Sequence, residues 1–397
     1  MAEIPGRDRP LRLAQVAGFP VLPARAGGKI RIVQLARAFC ALGVEVTVLA
    51  PYHRTQTREL ARKEPFRLVE VPYPFVIPYL FTDAPFPYGA LVSFHPGYCQ
   101  LLPRPLPSFD VCQLEHPAFA DVAGVMPAST PVVYNSQNVE FDYVCAESRP
   151  GVVRRLAGSR MRTLEGSLVR RADHVFACSE ADRSRFRELY GLDGARASIL
   201  PNGIDLEVVD ARMSQHRGAG GRAPEKASLP RRAIFSGSAV AHNHRAVDAL
   251  LARVAPQLTS EVEFVVLGEC ARRFRRNPLP NLTLDPEGDV AAYASAGAVG
   301  VNPVTQGSGT SLKILDYLAH GLPVVTTPFG LRGFEELAPW VRIAELDGFA
   351  QTLRADLAPP AGVREQIEAY GWRAIASRAL AVYEALATQS GANGAAA

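Results

Sequence analysis

The chain has 397 residues, enough for two domains of ordinary size with a core each. Apolar residues at 48% and charged ones at 21% exclude a disordered or fibrous chain and describe a globular one. A formal net charge of +4 is too mild to argue for nucleic acid, and no apolar run reaches the roughly 18 residues of a membrane span.

In chain order, the opening MAEIPGRDRP lacks the apolar core of a signal peptide, so a cytoplasmic protein is expected. The cysteines (Cys40, Cys99, Cys112, Cys145, Cys178, Cys270) are scattered with no CxxC pair, which suits reduced thiols better than disulfides or zinc. LRLAQVA (11–17) reads as a first strand, followed by a loop holding Gly27 and Gly28. A helix from about residue 30 to 42 ends at Gly43, and VEVTVLA (44–50) is the next strand. Together they make a βαβ crossover of the doubly wound kind. The two glycines allow close backbone approach and positive φ, although their spacing is not the GxGxxG of dinucleotide binders. Most bare pairs of this kind simply make turns.

From Pro72 to Phe109, prolines and aromatics interleave and exclude regular helix over most of the segment. It suits an apolar or sugar-bearing acceptor, or a rigid loop packed on its own domain. DVCQL (110–114) is a strand that delivers Glu115 and His116 at its carboxyl end, where open parallel sheets bind ligands. His116 is therefore a candidate for polarising a sugar, against the plainer role of a structural histidine. PVVYN (131–135) is the next strand. An arginine-rich helix over 152–171 places Leu156, Leu164 and Leu168 on its apolar side. A solvated basic face is the preferred reading there, with peripheral contact to an anionic membrane as the alternative. HVFAC (174–178) is a buried strand, and Ser179 with Asp182 starts a capped helix. After a strand at 198–201, the polar, glycine-bearing stretch 211–230 reads as a linker.

A second α/β series follows: AIFSG (233–237), a helix at 244–251, EFVVL (263–267), an edge-like strand at 282–284 and a helix start at 289–294. The stretch 293–329 then gives a strand (298–301), a glycine-bearing turn (306–310), a helix and a buried strand (324–326). Thr310 is the expected N-cap, and Gly321 with Pro323 ends the helix. Lys313 falls in the first turn, where the helix dipole disfavours a cation and no acid accompanies it. A lysine beside free amides is a seat for a diphosphate, and Asp316 one turn on can accept from the vicinal hydroxyls of a ribose. A Gly-Ser turn with a solvated lysine is the plainer alternative. The last helix runs from Gly362 to about residue 386, and the tail 391–397 is expected to be disordered. Two α/β domains joined by one linker imply a cleft.

Taken together, the Gly27-Gly28 loop and helix before GVEVTVLA, VVYNSQNVE, RRADHVFACSEAD, ILPNGID, IFSGSAVAHNHRAV, VVLGE, GSGTSLKILDYLAHGLPVVTTPFG and YGWRAIASRALAVYEAL resemble glycosyltransferase family 4 on the GT-B fold. The resemblance implies two Rossmann-like domains, 1–210 on the acceptor side and 231–375 on the donor side. A helix over 376–390 would cross back to the first. It also implies retaining transfer of a sugar from a nucleotide-diphosphate sugar to a glycan, lipid-linked, protein or small-molecule acceptor, with no cofactor and no metal. In this pattern Lys313 contacts the donor phosphate, Asp316 the ribose, and Gly307, Ser308, Gly309 and Thr310 offer amides to the diphosphate. His116 lies near the donor sugar, with Gly27 and Gly28 close by. Ser238, His242, Arg245 and Gly268 complete the donor side, and Gln137 and Asn138 the acceptor side.

Three departures stand out. The family's paired glutamates, eight apart, are here Ser308 and Asp316. Its Arg and Lys after the first donor-domain strand are replaced by SAVAHNHR, and Gln137 stands where a histidine is common. A binding subunit without turnover is thus an alternative to an enzyme. A nucleotide-sugar epimerase or a phosphorylase on the same fold is a further one.

Overall fold

The computed structural model describes residues 9–24, 27–51, 56–71, 98–102, 104–148, 151–218, 231–276, 279–295, 297–307 and 309–395. The chain divides into two compact units, Met1–Pro201 with Trp372–Ala397, and Asn202–Gly371.

The first unit is built on seven parallel strands: β1 (Arg12–Val16), β2 (Glu45–Pro51), β3 (Arg67–Val71), β4 (Val111–Leu114), β5 (Val132–Asn135), β6 (His174–Ala177) and β7 (Ala197–Ile199). Their order is β3-β2-β1-β4-β5-β6-β7. Successive residues of β1 feed opposite cores: Ala14 and Val16 pack into one, Leu13 into the other. Burial on both faces explains why these strands read as unbroken apolar runs. The order reverses between β1 and β4, a switch point at which such sheets leave a crevice outside the strand ends.

The second unit repeats the plan with β8 (Arg231–Ser236), β9 (Val262–Leu267), β10 (Leu282–Asp285), β11 (Ala298–Asn302), β12 (Val324–Thr326) and β13 (Arg342–Ile343), ordered β10-β9-β8-β11-β12-β13. Its switch point lies between β8 and β11. As expected, β10 is an edge strand, with β13 at the other edge.

The structure corrects several expectations. Residues 211–218 are not linker but the end of a helix, Leu206–Gly218, in the second unit. Buried Val209 anchors that helix, so the polar composition is its solvent face; residues 219–230 lie outside the described ones. The break between units accordingly falls at Pro201, not residue 210. The last helix is two helices, Val363–Glu368 in the second unit and Trp372–Ala395 in the first, separated at Gly371. Trp372, Ile375, Ala379 and Tyr383 bury the longer helix in the first unit's core, where the Tyr383 ring lies 5.5 Å from that of Phe39. It stays helical to Ala395, so the expected disordered tail is ordered to that point. In the helix Val152–Arg171, Leu168 is buried but Leu156 is 59% exposed; Ala157, Met161 and Val169 supply the apolar side instead. The proline-aromatic segment over 72–97 lies outside the described residues. No helix among the described residues is long and apolar enough to cross a membrane.

Candidate active site

In the second unit, β8 leads into Gly237 and Ser238 at the switch point. A Cβ on Gly237 would lie 2.8 Å from Asn243 Nδ2 and 3.0 Å from its Cγ, so only glycine lets the backbone pass. Gly268, after β9, has φ of 82°, and a Cβ there would meet the Gly237 carbonyl at 2.6 Å. The two strand-end turns are therefore packed backbone against backbone. Asn243, buried on the helix Ala241–Ala249, donates from Nδ2 to the Ser238 carbonyl (3.0 Å) and accepts on Oδ1 from Lys313 Nζ (2.8 Å). The ammonium also lies 5.1 Å from the centroid of the Phe235 ring. Lys313 is half-buried, and desolvation pulls its pKa from 10.5 down to about 8. Among the described residues no carboxylate lies within ion-pair distance of it. A desolvated cation held only by neutral groups has charge to offer an anion.

The turn before Lys313 carries Gly307 (φ 142°) and Gly309 (φ 68°), backbone states that disfavour any side chain. A Cβ on Gly307 would be 3.3 Å from His242 Cβ and Cγ, which places His242 against this turn. Arg332 donates from Nε to the Gly309 carbonyl at 3.1 Å and from Nη2 to the same oxygen. Ser308 lies outside the described residues. Arg245 is half-buried on the helix that carries His242. Thr310 is not the N-cap. Its Oγ1 accepts from Asn202 Nδ2 (2.7 Å), and the helix begins later, at Lys313, with Leu312 in the cap position and no side-chain cap. Because that helix is only Lys313–Ala319, Asp316 falls within its first turn, so the turn is not free of acid. The Asp316 carboxylate lies 3.4 Å from His320 Nδ1 and is 37% exposed. Burial disfavours a charged His320 ring, but Asp316's carboxylate and carbonyl outweigh it and raise the pKa.

In the first unit, Gly18 follows β1, and a Cβ there would lie 2.8 Å from His116 Cβ. His116 is thereby pressed onto the other switch point. Its Nδ1 accepts from the Ala118 amide (3.1 Å), capping the turn at Pro117–Gly124. The proton is then on Nε2, 3.5 Å from Glu140 Oε2, and both side chains are nearly buried. Each ring nitrogen thus already has a partner within the unit. Glu140 starts the helix Glu140–Glu147, whose first amides are capped from a neighbouring helix: Glu165 accepts from Glu140 N (2.7 Å) and Phe141 N (3.1 Å). Asn138 donates to Glu140 Oε1 (3.1 Å).

Gly27 and Gly28 are not in a loop, since the helix Gly27–Ala41 starts with them, and Gly28 is not at positive φ. Gly28 is needed for space, because a Cβ there would lie 2.3 Å from Gln137 Oε1. Gln137 Nε2 is buried and has no partner among the described residues, leaving a donor beside the helix start. Gly28→Ala should therefore push Gln137 aside. The expected loss of stability is about 1–3 kcal/mol in urea unfolding, and Gly28→Ala/Gln137→Ala should restore it.

Asn243, Arg332, Glu140 and Glu165 were not foreseen. An amide between two histidines and an arginine before a glycine carry no signal until the fold brings them to the turn. Among the described residues, no three His, Cys, Asp or Glu side chains group as a metal site requires.

Two doubly wound parallel units in one chain, the second with a lysine lacking an acid partner at its switch point, define the GT-B class of glycosyltransferase fold. The model of Glycosyltransferase Family 4 matches residues 26–208, and that of Glycosyl transferases group 1 matches residues 230–355; together the two matches mark the chain as a GT-B glycosyltransferase. No curated protein matches the sequence. Among solved structures, a glycosyltransferase from Rickettsia africae ESF-5 is similar at 15% identity and TM-score 0.61, covering 95% of this chain and 98% of that one. HepE from Anabaena, in complex with UDP-glucose, is similar at 16% identity and TM-score 0.54, covering 98% and 100%. A UDP-forming α,α-trehalose-phosphate synthase from Burkholderia xenovorans, in complex with glucose-6-phosphate, is similar at 12% identity and TM-score 0.64, covering 94% and 100%.

Proposed function

We propose that the protein transfers a sugar from a nucleotide-diphosphate sugar to an acceptor hydroxyl, with retention and without a metal. The observation that carries this reading is Lys313, desolvated, oriented by Asn243 and unopposed by any carboxylate among the described residues. In the reaction the bond between the anomeric carbon and the diphosphate oxygen breaks, the acceptor oxygen bonds to that carbon on the same face, and its proton passes to the departing nucleoside diphosphate, on which negative charge develops. Lys313 and the amides of the 307–310 turn meet that charge, so the task does not fall to a metal ion. Asp316 holds the ribose, and His242 and Arg245 stand near the phosphates. The first unit serves the acceptor, with Gln137 and Asn138 at the carboxyl end of β5; His116, at the carboxyl end of β4, is the candidate for polarising the sugar. HepE crystallised with UDP-glucose supports a donor of this class. Six unpaired cysteines, three of them buried, suit a reducing cytoplasm.

The test is a thermal-shift screen against UDP-, GDP- and ADP-sugars, followed by product analysis with the ligand that stabilises. A donor at 100 times its Kd should add about 2.7 kcal/mol to the folded state. Protein that binds none of them and forms no glycoside refutes the proposal. A binding protein without turnover is the second reading, favoured by Ser308 in place of a carboxylate and by SAVAHNHR in place of Arg and Lys. Tight donor binding with no product in any acceptor mixture would select it.

A further inference from the structure

We infer that Asn243 is a positioning residue whose neutrality keeps the charge of Lys313 available to a phosphate. The inference rests on the donor reading above and adds the device that maintains it. Three links carry it. Gly237, lacking a side chain, lets Asn243 lie against the strand end, where a Cβ would come within 2.8 Å of Nδ2. The Ser238 carbonyl takes the Nδ2 hydrogen at 3.0 Å, which fixes which end of the amide faces Lys313. Oδ1 then accepts one of the three ammonium hydrogens at 2.8 Å.

A carboxylate of the same shape at 243 would make the same contact and cancel the charge. In a half-buried site the resulting ion pair would hold the ammonium against an incoming anion. An aliphatic residue would leave the ammonium with only the Phe235 ring and no fixed direction. An amide does neither: it orients the cation and, among the described residues, leaves two of its hydrogens unspent. The other groups acting on Lys313 fit this account. Cys270 is the titratable neighbour from the turn Glu269–Phe274, and burial keeps its thiol protonated, with a pKa raised to about 11. Along the lysine's own helix, Asp316 is turned to His320. The helix of Asn243 carries His242, His244, Arg245 and one acid, Asp248, whose carboxylate lies 3.6 Å from the Arg273 guanidinium.

The experiment compares wild type with Asn243→Asp and Asn243→Ser by two readouts on the intact protein. First, the pH midpoint for acylation of Lys313 is followed by peptide mass spectrometry without ligand. Asn243→Asp should raise it by more than about one pH unit, as an adjacent opposite charge does, while Asn243→Ser should leave it within that range of wild type. Second, calorimetry with UDP, GDP, ADP and inorganic pyrophosphate at neutral pH should show binding at least about tenfold weaker in Asn243→Asp, and less affected in Asn243→Ser. Normal wild-type binding with an unmoved midpoint, or undiminished affinity in Asn243→Asp, overturns the inference alone. Wild-type binding of pyrophosphate but of no nucleotide overturns the donor reading and leaves the Asn243 comparison to be decided with pyrophosphate. Wild-type protein that binds neither overturns both.

Discussion

Lys313→Met should abolish most sugar transfer and, at the same time, make the protein more stable. Removing one preorganised group that meets leaving-group charge lowers the rate by about 10²–10³. The stability effect has the opposite sign because the folded state now holds a desolvated ammonium, shown by a pKa depressed from 10.5 to about 8. Below pH 8 the lysine is charged in both states, so the folded state bears the whole desolvation penalty. Between 8 and 10.5 the folded lysine is neutral while the unfolded one still binds a proton, and wild-type stability rises with pH. Lys313→Met is thus expected to gain about 1–3 kcal/mol at pH 7 by urea unfolding. The gap should close as pH passes from 8 to 10.5. Donor affinity of the wild type should fall across the lower part of that window, since only the charged form attracts phosphate. A variant that loses both activity and stability would mark Lys313 as a structural residue.

That lysine was legible in the sequence as a cation at a helix start, and the reasons lie in local rules. Gly321 and Pro323 bound its helix, GSG marks the turn, and the apolar runs on either side are strands. Ser179 was legible for the same kind of reason: its Oγ accepts from the Asp182 amide at 3.1 Å, as the capping spacing predicts. What failed required knowledge of partners far away in the chain. Thr310 matched the cap preference but is claimed by Asn202, and the helix starts without it. The break at Gly371 escaped notice because helical periodicity reports an apolar face but not which of two cores it enters. Likewise the stretch 211–218 has the composition of a linker, yet one buried valine suffices to dock it. The two sheets share a strand order with no visible sequence repeat, since apolar runs fill both faces in each and any β-branched mixture does so.

Arg31 shows the same limit most sharply and yields the largest expected change in stability. In the sequence it stands three residues after Gly28, with nothing that marks it as buried. In the fold it is 1% exposed, donating from Nη1 to the Pro201 carbonyl and from Nη2 to Leu200 O and Asn135 Oδ1, each at 2.8 Å. Its charge acts on Glu115, which is also fully buried and accepts from Gln15 (2.7 Å), Asn135 (2.9 Å) and Gln113. Tyr383, from the returning C-terminal helix, donates to Gln113 and ties that helix to the same network. Burial raises the Glu115 pKa, opposed by these donors and by Arg31. Arg31→Met leaves that carboxylate without its cation and orphans three acceptors, a loss of about 3–5 kcal/mol. Arg31→Met/Glu115→Gln should recover a large part of it, because the uncompensated charge is gone. The pH dependence follows with a definite sign. Well below the ordinary carboxylate pKa, Glu115 is protonated in both states and the single variant's deficit is smallest. The deficit grows as pH rises through the raised folded value of the wild type and levels off above the still higher value that Glu115 has without Arg31. Urea unfolding of the four proteins of this cycle between pH 4 and 8 measures both effects. A double variant no more stable than Arg31→Met, with a deficit flat in pH, would show that Arg31 acts only through its backbone contacts and not through Glu115.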